Sequence, residues 1–315
     1  MANWDDYRFF LAVARAGRVT LAAKLLGTDH STVSRRIGTL EEVLGAALFE
    51  RSPRGYVLTA QGAQLLKSAE EMESTTLLAQ SEISGSAQDY AGPVRIASPE
   101  GFGSYFLSWR LPQLLKAHPR LQLQIAAMPT IFSLTRREAD IVISLSRPTT
   151  GRIHARKLTD YQLGLYAAPD YLDKHPPIER VSQLAQHAFI AYDDLTPYPE
   201  VNYLPEVGAN IKPQLTSTNL FTQLLATMSG FGLCVLPHFV AAHRSDLRSV
   251  LPDEVSITRS YWLTVHSDLR RLSRVRLVSD FIASQVAAHR SSFLPPDRSQ
   301  IGTQPDNPSH AVDQA

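Results

Sequence analysis

The sequence predicts an α/β chain headed by an all-α N-terminal domain, and three observations predict it. Between Val19 and Ile37 the chain reads VTLAAKLLGTDHSTVSRRI, two short helical patterns around a glycine. From Thr59 to Ser86 apolar and small residues recur at alternating steps of four and three, as on one long helix. Beyond residue 93 strand-like and helix-like runs alternate, which argues for an α/β domain with a largely parallel sheet.

The first window reads as a helix-turn-helix on steric grounds. Ala23 is small enough for the second helix to approach the first, and Gly27 sits at the bend, where freedom at positive φ lets the chain reverse. Val33 and Ile37, four apart, share one face of the next helix and are expected to bury against Leu21, Leu25 and Leu26. His30, Ser31, Thr32, Ser34, Arg35 and Arg36 are left near the helix start, mostly off that face. Residues so placed reach base edges in the major groove: arginine bonds guanine in two places, while serine and threonine serve bases or phosphates. An ordinary helix pair with a solvated polar face is the competing reading.

The next stretch, LEEVLGAALFERSPRGYVLTAQG, adds a wing. Gly45 ends the helix, Leu48 and Phe49 are apolar anchors, and Arg51 to Gly55 form a basic turn before Tyr56-Val57-Leu58. Arg51 and Arg54 are placed to meet phosphates or the minor groove, contributing affinity more than sequence choice. The N-terminal domain is thus a winged helix-turn-helix over residues 1–59.

Together these residues resemble the LysR-type transcriptional regulators. The likeness runs from Asp5-Asp6-Tyr7-Arg8-Phe9-Phe10-Leu11-Ala12-Val13, through the helix-turn-helix, to Leu40-Glu41, Leu44-Gly45, Leu48-Phe49, Arg51, Leu58-Thr59 and Gly62. His30-Ser31-Thr32 departs from the family's more usual glutamine, proline and small residue, which implies a different base preference.

Residues 60–92 follow as a linker helix and hinge. Thr59 caps the helix, and Leu65, Ala69, Met72, Thr76, Ala79 and Ile83 form a heptad stripe. Periodicity alone leaves two readings, a coiled-coil seam or packing on the chain's own core. The resemblance implies the seam, hence a homodimer or homotetramer whose paired recognition helices read an inverted repeat in double-stranded DNA. Small and turn-forming residues from Ser84 to Pro93 mark the hinge.

The effector-binding half, residues 93–292, is read element by element. Strands are expected at 93–98, 121–128, 139–146, 162–169, 189–192, 211–217, 232–237 and 260–266. Helices are expected near 102–118, 219–229 and 274–289. Two subdomains follow, 93–161 with 267–292 and 162–266, the chain crossing between them twice. Glu138-Ala139-Asp140-Ile141, Ala168-Pro169 and Gly230 to Pro237 are family-like, and imply a periplasmic-binding-protein-like fold with a small effector in the cleft between subdomains. Strand ends facing that cleft would carry Ser98, Glu100, Thr130, Arg147, Ser217, Thr218 and Asn219. Hydroxyls and helix N-termini there suit a carboxylate or other polar anion; Glu100 opposes one unless Arg147 or a cationic ligand group offsets it. Plain helix capping competes as the role of each Ser, Thr and Asn.

Composition sets the limits. The net charge is only +1, and residues 1–60 hold eight Lys/Arg against six Asp/Glu, so a DNA-attracting field must come from placement. The single cysteine, Cys234, allows no intrachain disulfide, lies in an apolar run and reads as a packed core residue; this suits a reducing cytoplasm. The acidic start MANWDDYRFF is unlike a signal peptide, and no apolar run reaches membrane-spanning length. His238 and His243 are five apart, off the one-turn spacing of a metal pair, and neither a phosphate loop nor a nucleophile elbow is present. No metal, cofactor or enzymatic activity is expected. Residues 293–315, rich in Pro, Ser, Asp and Gln, read as a disordered tail. The expectation is a regulator that binds DNA, responds to a small effector and contacts RNA polymerase. The alternative is a small-molecule-binding α/β protein or enzyme with an N-terminal helical dimerisation element.

Overall fold

A computed structural model describes residues 3–52, 55–83, 90–127, 139–148, 153–193, 199–208 and 210–294. Its N-terminal elements are α1 (Trp4–Ala16), α2 (Val19–Leu26), α3 (His30–Leu44), β1 (Phe49–Ser52), β2 (Gly55–Leu58) and α4 (Ala60–Ile83). Phe9, Phe10 and Val13 of α1, Ala22 and Ala23 of α2, and Val33, Ile37 and Leu40 of α3 share one core with Leu48 and Phe49. Phe49 sits between the rings of Phe10 and Tyr56, at 5.3 and 5.7 Å.

One packing expectation is corrected. Leu21 and Leu25 are 46% and 58% exposed, and α2 instead turns Val19, Ala22, Ala23 and Leu26 towards the core. Those four stand at i, i+3, i+4 and i+7, the apolar face of a helix; Leu21 and Leu25 lie off it.

The linker helix α4 is built into this domain at its start. Thr59 Oγ1 accepts from the Gly62 N–H at 3.0 Å and donates to the Ala47 carbonyl at 2.7 Å. Arg15 of α1 holds Glu73 of α4 through two contacts of 2.6 and 3.1 Å. Ala69 is fully buried in the N-terminal core and Leu65 packs against it. These two positions of the expected seam therefore serve their own chain. Met72, Thr76 and Ala79 are exposed, and the side chain of Ile83 lies outside the described residues. Thr76 turns its hydroxyl onto the Met72 carbonyl at 2.9 Å, so its donor is paired within the helix.

Contacts divide the chain into a first unit, Met1–Leu158 with Tyr261–Gln285, and a second, Thr159–Ser260 with Val286–Ala315. Besides the N-terminal elements the first unit holds β3 (Gly92–Ser98), α5 (Glu100–Phe102), α6 (Leu111–Ala117), β4 (Leu121–Ala127) and β5 (Ile141–Ser144). The chain leaves it within β6 (Ile153–Ala167) and then builds α7 (Pro169–Lys174), β7 (Phe189–Tyr192), α8 (Leu204–Val207), β8 (Leu215–Ser217), α9 (Leu220–Met228), β9 (Leu233–Pro237), α10 (His238–Ala241) and β10 (Arg248–Val250). It returns within β11 (Ser256–His266), runs through α11 (Ser273–Ala288) and ends the described residues after α12 (Arg290–Phe293).

Within the first unit β3 is parallel to β4 and β5, and β11 is antiparallel to β5. Within the second, β7 is parallel to β8 and β9, whereas β6 is antiparallel to β9 and β10. Each unit thus has a mixed arrangement in place of the largely parallel one expected. The long strands β6 and β11 account for the difference, since each spans a passage from one unit to the other; only their apolar halves stand out in sequence.

Three further details depart from expectation. The helix near 102–118 is broken into α5, a π turn at Gly103–Leu107 and α6, which restarts with Pro112 in its first turn. Of residues 211–217 only Leu215–Ser217 form a strand, as Pro213 breaks the ladder. The unit limits fall at 158/159, 260/261 and 285/286, a third crossing that assigns α12 to the second unit. There Phe293 is fully buried, its ring 5.0 Å from that of Phe239, so the expected tail cannot begin at 293; residues 295–315 lie outside the described ones.

Cys234 is buried in β9, its thiol within 3.7 Å of Gln223 Oε1, and burial pushes its pKa up to about 12. It is expected to be inert to an aromatic disulfide reagent in the native protein at neutral pH and to react fully in denaturant. Rapid native labelling would contradict the buried placement.

Candidate nucleic-acid interface

The recognition helix α3 owes its start to Asp29, a residue that sequence reasoning passed over. Its carboxylate accepts from Ser31 Oγ at 2.5 Å, the Thr32 N–H at 2.7 Å and Thr32 Oγ1 at 2.9 Å. These bonds, that of Ser31 first, hold the carboxyl well below the usual carboxylate range. The signal was present: an Asp three residues before a Thr, at the head of an apolar-periodic run, is an N-cap. With their protons given to Asp29, the Ser31 and Thr32 hydroxyls keep lone pairs to accept from base amino groups.

Because its folded pKa is depressed, Asp29 stabilises α3 in full above the ordinary carboxylate range and loses that effect as pH falls from that range to the depressed value. Asp29→Ala is expected to fray the first turn of α3 and weaken DNA binding. Circular dichroism melts at neutral and acidic pH should show the variant and the parent converging as pH falls; equal melts at neutral pH would refute the cap.

Gly27, at φ 66°, closes α2 and lets the chain turn into α3. Ala23, Val33 and Ile37 are buried as expected, which fixes the other face of α3 outward. On it His30, Ser31 and Arg35 are exposed, and Thr32 and Ser34 half-exposed. Arg36 is diverted. Its guanidinium lies 3.0 Å from Asp6 Oδ1, 3.6 Å from Asp5 Oδ2 and 5.6 Å from the centre of the Phe9 ring. Asp6 is only 3% exposed, so Arg36 ties α3 to α1 rather than reading DNA. Arg51 lies on β1 with its side chain outside the described residues, as is all of Arg54.

The effector candidates fall in both units. Ser98, at the carboxyl end of β3, is buried and donates to the Pro99 carbonyl at 3.0 Å. Glu100 opens α5 and is half-buried, while Arg147 is exposed with its guanidinium 5.5 Å from the centre of the Trp262 ring. In the second unit Ser217 ends β8, its hydroxyl accepting from the Asn219 N–H at 3.2 Å. Asn219 caps α9 by accepting from the Thr222 N–H at 2.7 Å, so its carbonyl oxygen has the capping role. Thr218 is exposed, and Thr130 lies outside the described residues. Sequence reasoning missed Gln223, which is fully buried and donates to the Ser217 carbonyl at 3.0 Å, steadying this corner.

No helix among the described residues is long and apolar enough to cross a membrane. Comparison with known proteins places both halves of the chain. Residues 4–63 match the bacterial regulatory helix-turn-helix family of lysR type, and residues 87–287 match the LysR substrate binding domain. The chain is 28% identical over 256 residues to the regulator PtxR of Pseudomonas aeruginosa, covering 79% of this chain and 82% of that protein. It is 27% identical over 290 residues to the Mau operon transcriptional activator of Paracoccus denitrificans, covering 90% and 97%. Among solved structures, a full-length OxyR variant from Pseudomonas aeruginosa shares the fold at a TM-score of 0.70 and 18% identity, covering 91% of this chain and 98% of that one. Full-length LysG from Corynebacterium glutamicum, solved with its effector Arg bound, does so at 0.64 and 17%, covering 91% and 98%. With a lysR-type helix-turn-helix match at one end and a LysR substrate binding domain match over most of the rest, the chain belongs to the LysR family of transcriptional regulators.

Proposed function

We propose that this LysR-type regulator binds an inverted-repeat operator as a homodimer or homotetramer and changes its contact with RNA polymerase when a small polar effector binds. The observation that carries the reading is α3 itself, whose exposed first turns present His30, Ser31, Ser34 and Arg35 while Val33 and Ile37 lock the opposite face. Arg51 and Arg54 of the wing serve phosphates. Residues 1–59 form the DNA-binding domain, 60–92 the linker and 93–294 the effector-binding domain, α12 included.

Self-association draws on Met72, Thr76 and Ala79 of α4, and on Phe221 and Leu225, which α9 leaves 50% and 45% exposed. The effector candidates are Ser98, Glu100, Thr130, Arg147, Ser217, Thr218 and Asn219. Glu100 opposes an acidic ligand unless Arg147 or a cationic ligand group offsets it, and the Arg effector bound in LysG carries such a group. The chain performs no catalysis and works in the cytoplasm, where its DNA is.

Titration of the purified protein with DNA from upstream of its own gene, over a range of salt, tests the reading. Tight binding that weakens steeply with salt yet stays well above that to unrelated DNA supports it. Equal affinity for both DNAs at every salt concentration would overturn it.

A further inference from the structure

We propose that the second unit carries a small-molecule site of its own, a pit of about 530 Å³ on one face of β6 that takes an uncharged aromatic or alicyclic molecule bearing a hydroxyl or carbonyl group. The pleat sets the floor. Gln162, Gly164 and Tyr166 alternate on one side of the strand, and Leu165 and Ala167 are fully buried on the other. Glycine leaves the middle of that row open: a Cβ at 164 would stand 3.3 Å from the Tyr166 ring.

The walls come from α10 and the strand beside β6. Tyr166 Oη lies 3.1 Å from His238 Nδ1, and Ser249 of β10 pairs directly across from Tyr166. Ala242, Leu247 and Val255 supply apolar surface. In either tautomer of a neutral His238 the Tyr166–His238 pair still offers one donor and one acceptor.

The chemistry of the lining selects the ligand. None of the described residues lining the pit is Asp, Glu, Lys or Arg. Burial, with His243 nearby, holds His238 below the usual histidine range, and burial raises Tyr166 to about 12, so the pit is uncharged at neutral pH. An ionised ligand would lose its hydration there without a counter-charge. A neutral ring carrying one hydrogen-bonding group meets apolar walls and a polar pair in a volume typical of ligand sites. The site is separate from Ser217–Asn219: β8 and β10 stand at opposite edges of this unit's strands, with β7, β9 and β6 between them.

Isothermal titration of the full chain with para-ethylphenol, against para-hydroxybenzoate as its charged counterpart, tests the proposal. Para-ethylphenol is expected to bind with a Kd on the order of 1 mM or tighter, and para-hydroxybenzoate about tenfold more weakly. Gly164→Ala, which narrows the floor, and Ala242→Leu, which narrows the wall, should each weaken para-ethylphenol about tenfold. Thermal melts establish that a variant is folded, and either folded variant suffices for the comparison. Absence of para-ethylphenol binding, equal binding of the carboxylate, or binding that survives the substitutions would overturn the site. DNA binding is not read in this experiment, so its failure leaves the regulator reading untouched.

Discussion

Replacing Arg35 by alanine is expected to lower operator affinity by about 1–3 kcal/mol per half-site, about 2–6 kcal/mol for a two-fold complex, without destabilising the protein. Arg35 is exposed on the outward face of α3, one residue from an arginine with the opposite fate. Arg36 is held by the buried Asp6 and lies against Phe9, so Arg36→Ala removes a packing and charge contact between α3 and α1. The two variants should therefore separate two quantities. Anisotropy titration of a labelled operator should show the larger intrinsic loss for Arg35→Ala, and thermal melting should show the larger loss for Arg36→Ala. A stable Arg36→Ala protein with lost base preference, beside an Arg35→Ala protein that binds normally, would reverse the assignment.

The second large effect is steric. A Cβ at Gly62 would stand 2.0 Å from the Leu48 carbonyl oxygen and 3.0 Å from Leu58 Cδ2. The first obstacle is backbone and cannot rotate away, so Gly62→Ala must lift the start of α4 from the wing, disturbing the Thr59 cap that bonds the Gly62 N–H. Overpacking of this kind costs about 1–3 kcal/mol, or about 4–8 °C of melting temperature per kcal/mol in a domain of this size. Loss of DNA binding should follow the melting, because the recognition helix and wing share that core. An unchanged melt of Gly62→Ala would mean that α4 does not approach the wing so closely.

What was legible in the sequence was local. Gly27, the Val33 and Ile37 pair, the Leu48-Phe49 anchors and the Thr59 cap each act within a few residues of chain, and each stands where its chemistry puts it. The same holds for α9 and its Asn219 cap. The departures involve partners distant in sequence, or competition between faces. Arg36 looked like a DNA contact because Asp6 lies thirty residues away, and Ala69 fits a heptad as well as it fits the core it fills. Leu21 and Leu25 read as inward because they are apolar, although Val19, Ala22, Ala23 and Leu26 form the better helical face. Half of β6 went unseen because its partly exposed residues 153–160 carry no apolar run. At the effector residues, sequence gave residue types at strand ends, whereas Gln223, which steadies Ser217, carried no signal beyond being a polar residue on an apolar helix.

On the proposed function, α3 reads DNA as one half of a two-fold pair. Selection of bound duplexes from a random library by the full-length protein tests it most directly. Enrichment of an inverted repeat whose half-sites are related by about one helical turn or a multiple of it is expected, with loss of the half-site preference in Arg35→Ala. Enrichment of a single unpaired site, or of no sequence at all, would contradict it.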